Sequence, residues 1–196
     1  MRAALVSRRF LTMLVLSLAF VGGGGTTSRL HAGGDPRPPA PPGFNVHLVL
    51  VTPEGHRFWR GGAPRKDTLD SLAVDATARG ATVTLIDLRH PPSADDLSGK
   101  GGRLSPDGEP ARGAQKGFRY LSISALDKQF NAQLDEALAR GDVYLHCMYG
   151  VNRTGFAVAR YARRHQVKIS REGLGKRDWT QGDAFEARLE TTGKGK

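Results

Sequence analysis

One cysteine is present in 196 residues, and its surroundings are the most informative stretch of the chain. His146-Cys147-Met148-Tyr149-Gly150-Val151-Asn152-Arg153-Thr154-Gly155 follows the short apolar run Val143-Tyr144-Leu145 and leads into a helical pattern with Phe156, Ala157, Val158, Ala159 and Tyr161. A strand ends, a cysteine follows, five residues intervene, and Arg-Thr-Gly opens a helix. That order builds an anion cradle. Backbone N–H groups of a tight loop over Met148, Tyr149, Gly150, Val151 and Asn152 turn inward, and the helix start adds partial positive charge. Gly150 permits the tight turn. Arg153 offers a planar fork that matches two oxygens of a phosphoryl group. The same field favours the thiolate of Cys147, the form that acts as a nucleophile. Thr154 is placed to hydrogen-bond the sulfur when it leaves in a second step. His146 is expected to orient the loop, and Gly155 to serve it structurally. The chemistry implied is attack of Cys147 on a bound phosphate ester.

A single cysteine excludes a scaffold held by internal disulfides, and a dithiol redox centre would need a second one. A cysteine-loop sulfurtransferase uses a tighter cradle, one residue shorter before its arginine. A domain that only binds phosphate needs no thiol, although a phosphate-binding pseudoenzyme acting as an interaction module stays open as an alternative. The chemistry calls for no metal and no cofactor.

The elements that must position these residues read as strands alternating with helices. Val46–Val51 is a β-branched run, Pro53-Glu54-Gly55 a turn, and Phe58-Trp59-Arg60 its hairpin partner. Thr68–Arg79 is helical, with Asp67 as cap and Gly80 as stop. Thr82–Leu88 is a short buried-strand pattern. Pro91–Gly117, broken by proline and glycine, reads as a long surface loop. Tyr120–Ile123 is a strand, and Phe130–Arg140 places Phe130, Leu134, Ala137 and Leu138 on one helical face before Gly141. The expected fold is α/β: a single layered domain with a central, mainly parallel sheet flanked by helices, and the phosphate-binding loop between a strand and a helix.

Upstream, residues 1–9 carry three arginines and no acid, and a 12-residue apolar run, Phe10–Val21, follows. This pattern predicts a signal peptide over 1–21, too short to span a bilayer but able to stay attached as an anchor. Ser7-Arg8-Arg9-Phe10-Leu11 resembles a twin-arginine signal without its usual residue between the arginine pair and the Phe-Leu. Residues 22–43 form a Gly/Pro-rich linker, 44–190 the domain, and 191–196 a tail. The expected location is periplasmic or extracellular. The net charge is +10, or +7 without the three leading arginines, which suits anionic partners. The expected partner is a phosphorylated protein or a small anionic phosphate ester, not nucleic acid, since no block of like charge forms an arm. A membrane is a partner only if the N-terminal segment is uncleaved.

At the Cys147 loop the sequence resembles the protein tyrosine and dual-specificity phosphatases, whose signature is His-Cys, five residues, then Arg and Ser or Thr. Phe58-Trp59-Arg60-Gly61-Gly62-Ala63-Pro64, the Leu69–Leu72 helix and Thr82–Arg89 look like the front half of the compact bacterial and fungal members related to atypical dual-specificity phosphatases. The resemblance covers roughly residues 44–165. It implies a metal-independent phosphatase acting through a cysteinyl-phosphate, on phosphotyrosine or phosphoserine/threonine, or alternatively on an inositol phosphate. It also implies an aspartic acid that protonates the leaving oxygen. Asp127, in Ser124-Ala125-Leu126-Asp127, matches best, with Asp95 and Asp96 as alternatives and a helix-capping role equally open to Asp127. Gln181 is a candidate to position the hydrolytic water. Met148 and Tyr149 depart from the small or polar residues usual after the cysteine, and predict a bulkier rim. No lysine lies inside the loop, but Lys100, Arg103, Arg112 and Lys116 lie in the long loop upstream.

Overall fold

The structure, a computed structural model, describes residues 38–92 and 97–169. The expected signal segment, most of the linker, Asp95, Asp96, Gln181 and the tail lie outside the described residues. Five strands form one sheet in the order β1-β2-β5-β3-β4: β1 His47–Val51, β2 Arg57–Gly62, β3 Val83–Asp87, β4 Arg119–Ser122 and β5 Asp142–Cys147. β1 pairs antiparallel with β2, as the Pro53-Glu54-Gly55 turn dictates, and all other pairs are parallel. Among the described residues, four α-helices flank the sheet: α1 Lys66–Arg79, α2 Glu109–Gln115, α3 Phe130–Arg140 and α4 Asn152–His165. The α/β architecture read from the sequence is the one found. Among the described residues no helix is long and apolar enough to cross a membrane.

The central strand β5 is buried along its whole length, as a strand with helices on both faces must be. Its period-two alternation divides the core. Val143, Leu145 and Cys147 pack with Phe130 and Leu134 of α3 and with Phe156 and Val158 of α4. Tyr144 faces the other layer, with Trp59, Leu69 and Leu72. Cys147 and His146 therefore project to opposite faces of the sheet, and each meets a different set of partners.

Two local expectations are corrected. Asp67 is not the cap of α1: Arg65 is the N-cap, because Thr68 one turn in accepts the Arg65 N–H through its hydroxyl at 3.2 Å, and the Asp67 carboxylate accepts the Thr68 N–H at 2.8 Å. Nor is the stretch after Pro91 a surface loop throughout. It contains α2, started by Pro110 in the first turn, with Gly113 close against Leu85 of β3. Seven helical residues are too few for periodicity to declare them among prolines and glycines, and Glu109 within them is fully buried.

Candidate active site

Cys147 ends β5, and α4 begins at Asn152. The intervening turn is held close against the end of β2. Gly150 has φ +66°, and a Cβ there would lie 2.4 Å from the Gly61 carbonyl carbon and 2.5 Å from the Gly62 nitrogen. Any side chain at 150 would thus be strained twice, by conformation and by contact with backbone. The Ala63 N–H donates to the Met148 carbonyl at 3.1 Å, and the Leu88 N–H to the His146 carbonyl at 2.8 Å. These bonds fix the strand end of the loop to the chain beyond β2 on one side and beyond β3 on the other.

Arg153 sits in the first turn of α4, half-buried, and donates through Nη1 to the Leu88 carbonyl at 3.4 Å, where β3 ends. The Thr154 hydroxyl is buried, with its proton directed to the Gly61 carbonyl at 3.4 Å. That bond is long and weak, and a hydroxyl rotates at little cost. Cys147 is itself buried. A sulfur, a planar arginine and a helix start are thus gathered around one turn of backbone.

A further residue, not singled out in the sequence, joins them. Arg60 of β2 is 1% exposed and donates through Nη2 to the Gly150 carbonyl. Burial lowers its guanidinium to about 10, an effect opposed by the charge of Cys147 and then of Tyr144. The sequence did carry a signal for it. In strand alternation Arg60 shares a face with the fully buried Phe58, so it had to point inward.

On the opposite face His146 is wholly buried, and its Nε2 donates to Glu109 Oε1 at 2.7 Å. Glu109 also accepts from Arg89 Nη2 at 2.5 Å. Arg89 in turn forms two bonds of 2.8 Å to the Asp87 carboxylate and one of 2.8 Å to the Leu104 carbonyl. Tyr120 donates to Asp87 Oδ2 at 2.9 Å. Burial alone would raise the Asp87 carboxyl, but His146 and Arg89 outweigh it and bring it down to about 2. Burial likewise opposes the Arg89 charge, and the bonds to Asp87 more than restore it. Asp87, Glu109 and His146 each present a ligand atom within 4.8 Å of the others, a spacing that suits a metal. The Arg89 guanidinium already lies between the two carboxylates and binds both, so the cation of this cluster belongs to the chain itself.

This cluster gives one expectation for stability. Glu109→Ala leaves Arg89 paired with Asp87 but strips His146 Nε2 of its acceptor, and should cost about 3 kcal/mol, the lower end for breaking a buried pair. Urea unfolding at neutral pH measures it; a loss below about 0.5 kcal/mol, the ordinary surface range, contradicts it. Because the folded Asp87 carboxyl sits at about 2 against an ordinary 3.8, its stabilisation is fully present above pH 4. It is lost as the pH falls from there toward 2.

The remaining expected residues fall into place unevenly. Met148 is 2% exposed and so forms no part of the rim; its carbonyl is tied to Ala63 and its side chain is enclosed. The rim's bulk comes from Tyr149, 41% exposed, and from Phe44, 51% exposed, whose rings meet edge-on at 6.5 Å. Arg103 lies over both, 4.7 Å from the Phe44 ring centre and 5.2 Å from that of Tyr149. Val151 is partly exposed and Asn152 exposed, while Gly155 is buried, its N–H bonded to the Val151 carbonyl at 3.2 Å. Asp127 is exposed in the turn before α3, where its Oδ1 accepts the Gln129 N–H at 2.8 Å. Arg160 of α4 donates to the Ala125 and Asp127 carbonyls at 2.7 and 3.1 Å, which ties that turn to the helix behind the loop. Lys116 pairs with Asp70 of α1 at 2.5 Å, and Arg112 reaches Gln115 on its own helix. With Arg103 at the rim, the long-loop cations do not form one set, and the side chain of Lys100 lies outside the described residues.

The chain is similar in structure to a DUF442 protein of Shewanella putrefaciens CN-32, named a candidate phosphatase. The TM-score is 0.51 at 16% identity, covering 76% of this chain and 92% of that one. It also aligns with kinase associated phosphatase at TM-score 0.47 and 12% identity, over 74% and 96% of the two chains. With TpbA of P. aeruginosa the values are 0.43 and 19%, over 72% and 89%. No protein-family model and no curated protein matches the sequence. The fold is shared with the DUF442 protein of Shewanella putrefaciens CN-32.

Proposed function

We propose that this chain is a phosphatase that hydrolyses phosphate monoesters through a cysteinyl-phosphate, with no need of a metal. The observation that carries the reading is the turn between Cys147 and Arg153, pressed by Gly150 onto Gly61 and Gly62, at the carboxyl end of the central strand. In the first step the Cys147 thiolate attacks phosphorus, the S–P bond forms, and the ester O–P bond breaks. Arg153 and the loop N–H groups hold the equatorial oxygens, the task that a metal performs elsewhere. Asp127 gives its proton to the leaving oxygen. In the second step water attacks phosphorus, Asp127 takes the water's proton, and the sulfur leaves as thiolate, aided by the Thr154 hydroxyl.

The aromatic rim of Tyr149 and Phe44 supports an aryl ester, phosphotyrosine, over phosphoserine: a flat ring buries more apolar area between such walls than a short alkyl chain. The positive surface supports acidic, phosphorylated substrates. Export through the 1–21 segment belongs to the same reading.

The test is hydrolysis of p-nitrophenyl phosphate and of matched phosphotyrosine and phosphoserine peptides, with a chelator present and vanadate as inhibitor. Hydrolysis that survives the chelator, stops with vanadate and favours the phosphotyrosine peptide is expected; dependence on added metal overturns the reading. Asp127→Asn should slow poor leaving groups, such as alkyl phosphates, by about 10²-fold, and p-nitrophenyl phosphate far less. Equal rates for the parent and Asp127→Asn on alkyl esters remove Asp127 from the acid role.

A further inference from the structure

We infer that Arg60 is a second positioning arginine of the phosphate loop, one that orients the Gly150–Val151 peptide and sets a buried positive charge beside the Cys147 thiolate. The inference rests on the phosphatase reading above and assigns work to a residue on a different strand from the signature loop.

Geometry comes first. β2 runs parallel to β5, with Gly62 opposite Cys147 and Arg60 opposite Leu145. Residues two apart share a sheet face, so Arg60 projects on the face where Cys147 and Leu145 project, under the loop that joins β5 to α4. There it donates to the Gly150 carbonyl. A trans peptide is planar, with its C=O and N–H on opposite sides. Holding the Gly150 carbonyl toward β2 therefore turns the Val151 N–H away from β2, into the concave side of the turn. A free carbonyl in this turn could rotate inward and set its oxygen against a bound phosphate. Arg60 prevents that.

The charge comes second. Arg60 is 1% exposed, and a buried guanidinium is costly unless an anion stands nearby. Of the charges that support its protonation, Cys147 comes first and Tyr144 second. Tyr144 is held neutral: burial drives its hydroxyl upward, and its proton is given to the Gly62 carbonyl at 2.8 Å. The Arg60 cation and the Cys147 sulfur thus share one face of the sheet beneath one turn, where opposite charges attract. From α4, Arg153 and Thr154 belong to the same loop–helix unit, and the chain neighbour His146 turns to Glu109 and Asp87 on the far face.

The lone cysteine makes the test clean, because alkylation by iodoacetamide reports the thiolate of Cys147 and no other thiol. Arg60→Met should slow alkylation at pH 6 by about tenfold, because the thiolate is the reacting form and loses a neighbouring positive charge. Arg60→Lys keeps the charge but not the fork. It should alkylate within about twofold of the parent while kcat on p-nitrophenyl phosphate falls about tenfold, with KM little changed. Circular dichroism establishes which variants are folded. Should Arg60→Met not fold, the lysine variant decides alone: slowed alkylation with unchanged kcat overturns the inference. Parent-like alkylation and parent-like kcat in a folded Arg60→Met overturn it as well. Alkylation is read without turnover, so a parent protein inactive on every ester would refute the phosphatase reading and leave the effect of Arg60 on the thiol measurable.

Discussion

Cys147→Ser is expected to lose turnover by at least about 10⁴-fold while inorganic phosphate still binds. An alcohol is a poor nucleophile at neutral pH without a base to take its proton. Removing a nucleophile costs on the order of 10⁶ in other covalent enzymes, so 10⁴ is a cautious floor. The cradle is untouched by the change: Gly150 stays against Gly61 and Gly62, Arg153 keeps its bond to Leu88, and Arg60 keeps the Gly150 carbonyl. The serine replaces a buried sulfur that packs beside Leu145 and Phe156. The fold should weaken by only about 1 kcal/mol, the scale of one imperfectly satisfied hydroxyl. Phosphate protection against urea unfolding, compared between the two proteins, separates binding from chemistry.

Arg153→Lys has the second-largest expected effect, a fall in kcat of about 10² to 10³. Lysine keeps the charge but offers a point in place of a planar fork, so it cannot hold two equatorial oxygens as the phosphoryl group flattens. Because that complementarity is greatest in the transition state, kcat should fall more than KM rises. Steady-state kinetics on p-nitrophenyl phosphate measures both. A variant within threefold of the parent in kcat means that the guanidinium does not touch the transferring group.

The contrast between these two residues and the rest of the site explains what could be read from the chain. Cys147, Gly150, Arg153 and Thr154 lie within one strand–turn–helix unit, so their relative positions follow from local geometry. The sheet was legible for a similar reason: β3 and β5 are short apolar runs and α3 shows one clean apolar face. Arg60 and Glu109 were not read as site residues, because their roles come from pairing between distant segments. Arg60 reaches Gly150, 90 residues away in sequence. Glu109 meets His146 across 37 residues, from a helix too short to leave a period and set among prolines and glycines. The rim was half right. Bulk after the cysteine predicted a hindered mouth, but the chain folds Met148 inward, and Phe44 from the segment before β1 takes its place beside Tyr149. Asp127 illustrates a limit of another kind. One side chain can cap a turn and donate a proton, and its bond to the Gln129 N–H leaves the second carboxylate oxygen for other work.

Arg60 also bears on how the loop keeps its shape without a substrate. Three guests press on the end of β2 from one side: the Gly150 backbone, the Thr154 hydroxyl and the Ala63–Met148 bond. From the other face His146 is clamped by a cluster whose members are at most 1% exposed, apart from Tyr120 at its edge. A loop fixed from both faces needs little rearrangement to receive an anion, and that preorganisation is what electrostatic catalysis requires. The site is also sensitive to acid through protonation of Asp87 beneath the loop.

Passage of a phosphoryl group through the sulfur of Cys147 is open to direct capture. Rapid acid quench of the protein with excess p-nitrophenyl phosphate, followed by mass analysis of its peptides, tests it most directly. A phosphoryl adduct is expected on the peptide bearing Cys147, formed with a burst of nitrophenol that approaches one per active site, and absent from Cys147→Ser. Steady hydrolysis with neither burst nor adduct, or an adduct on another residue, would contradict it.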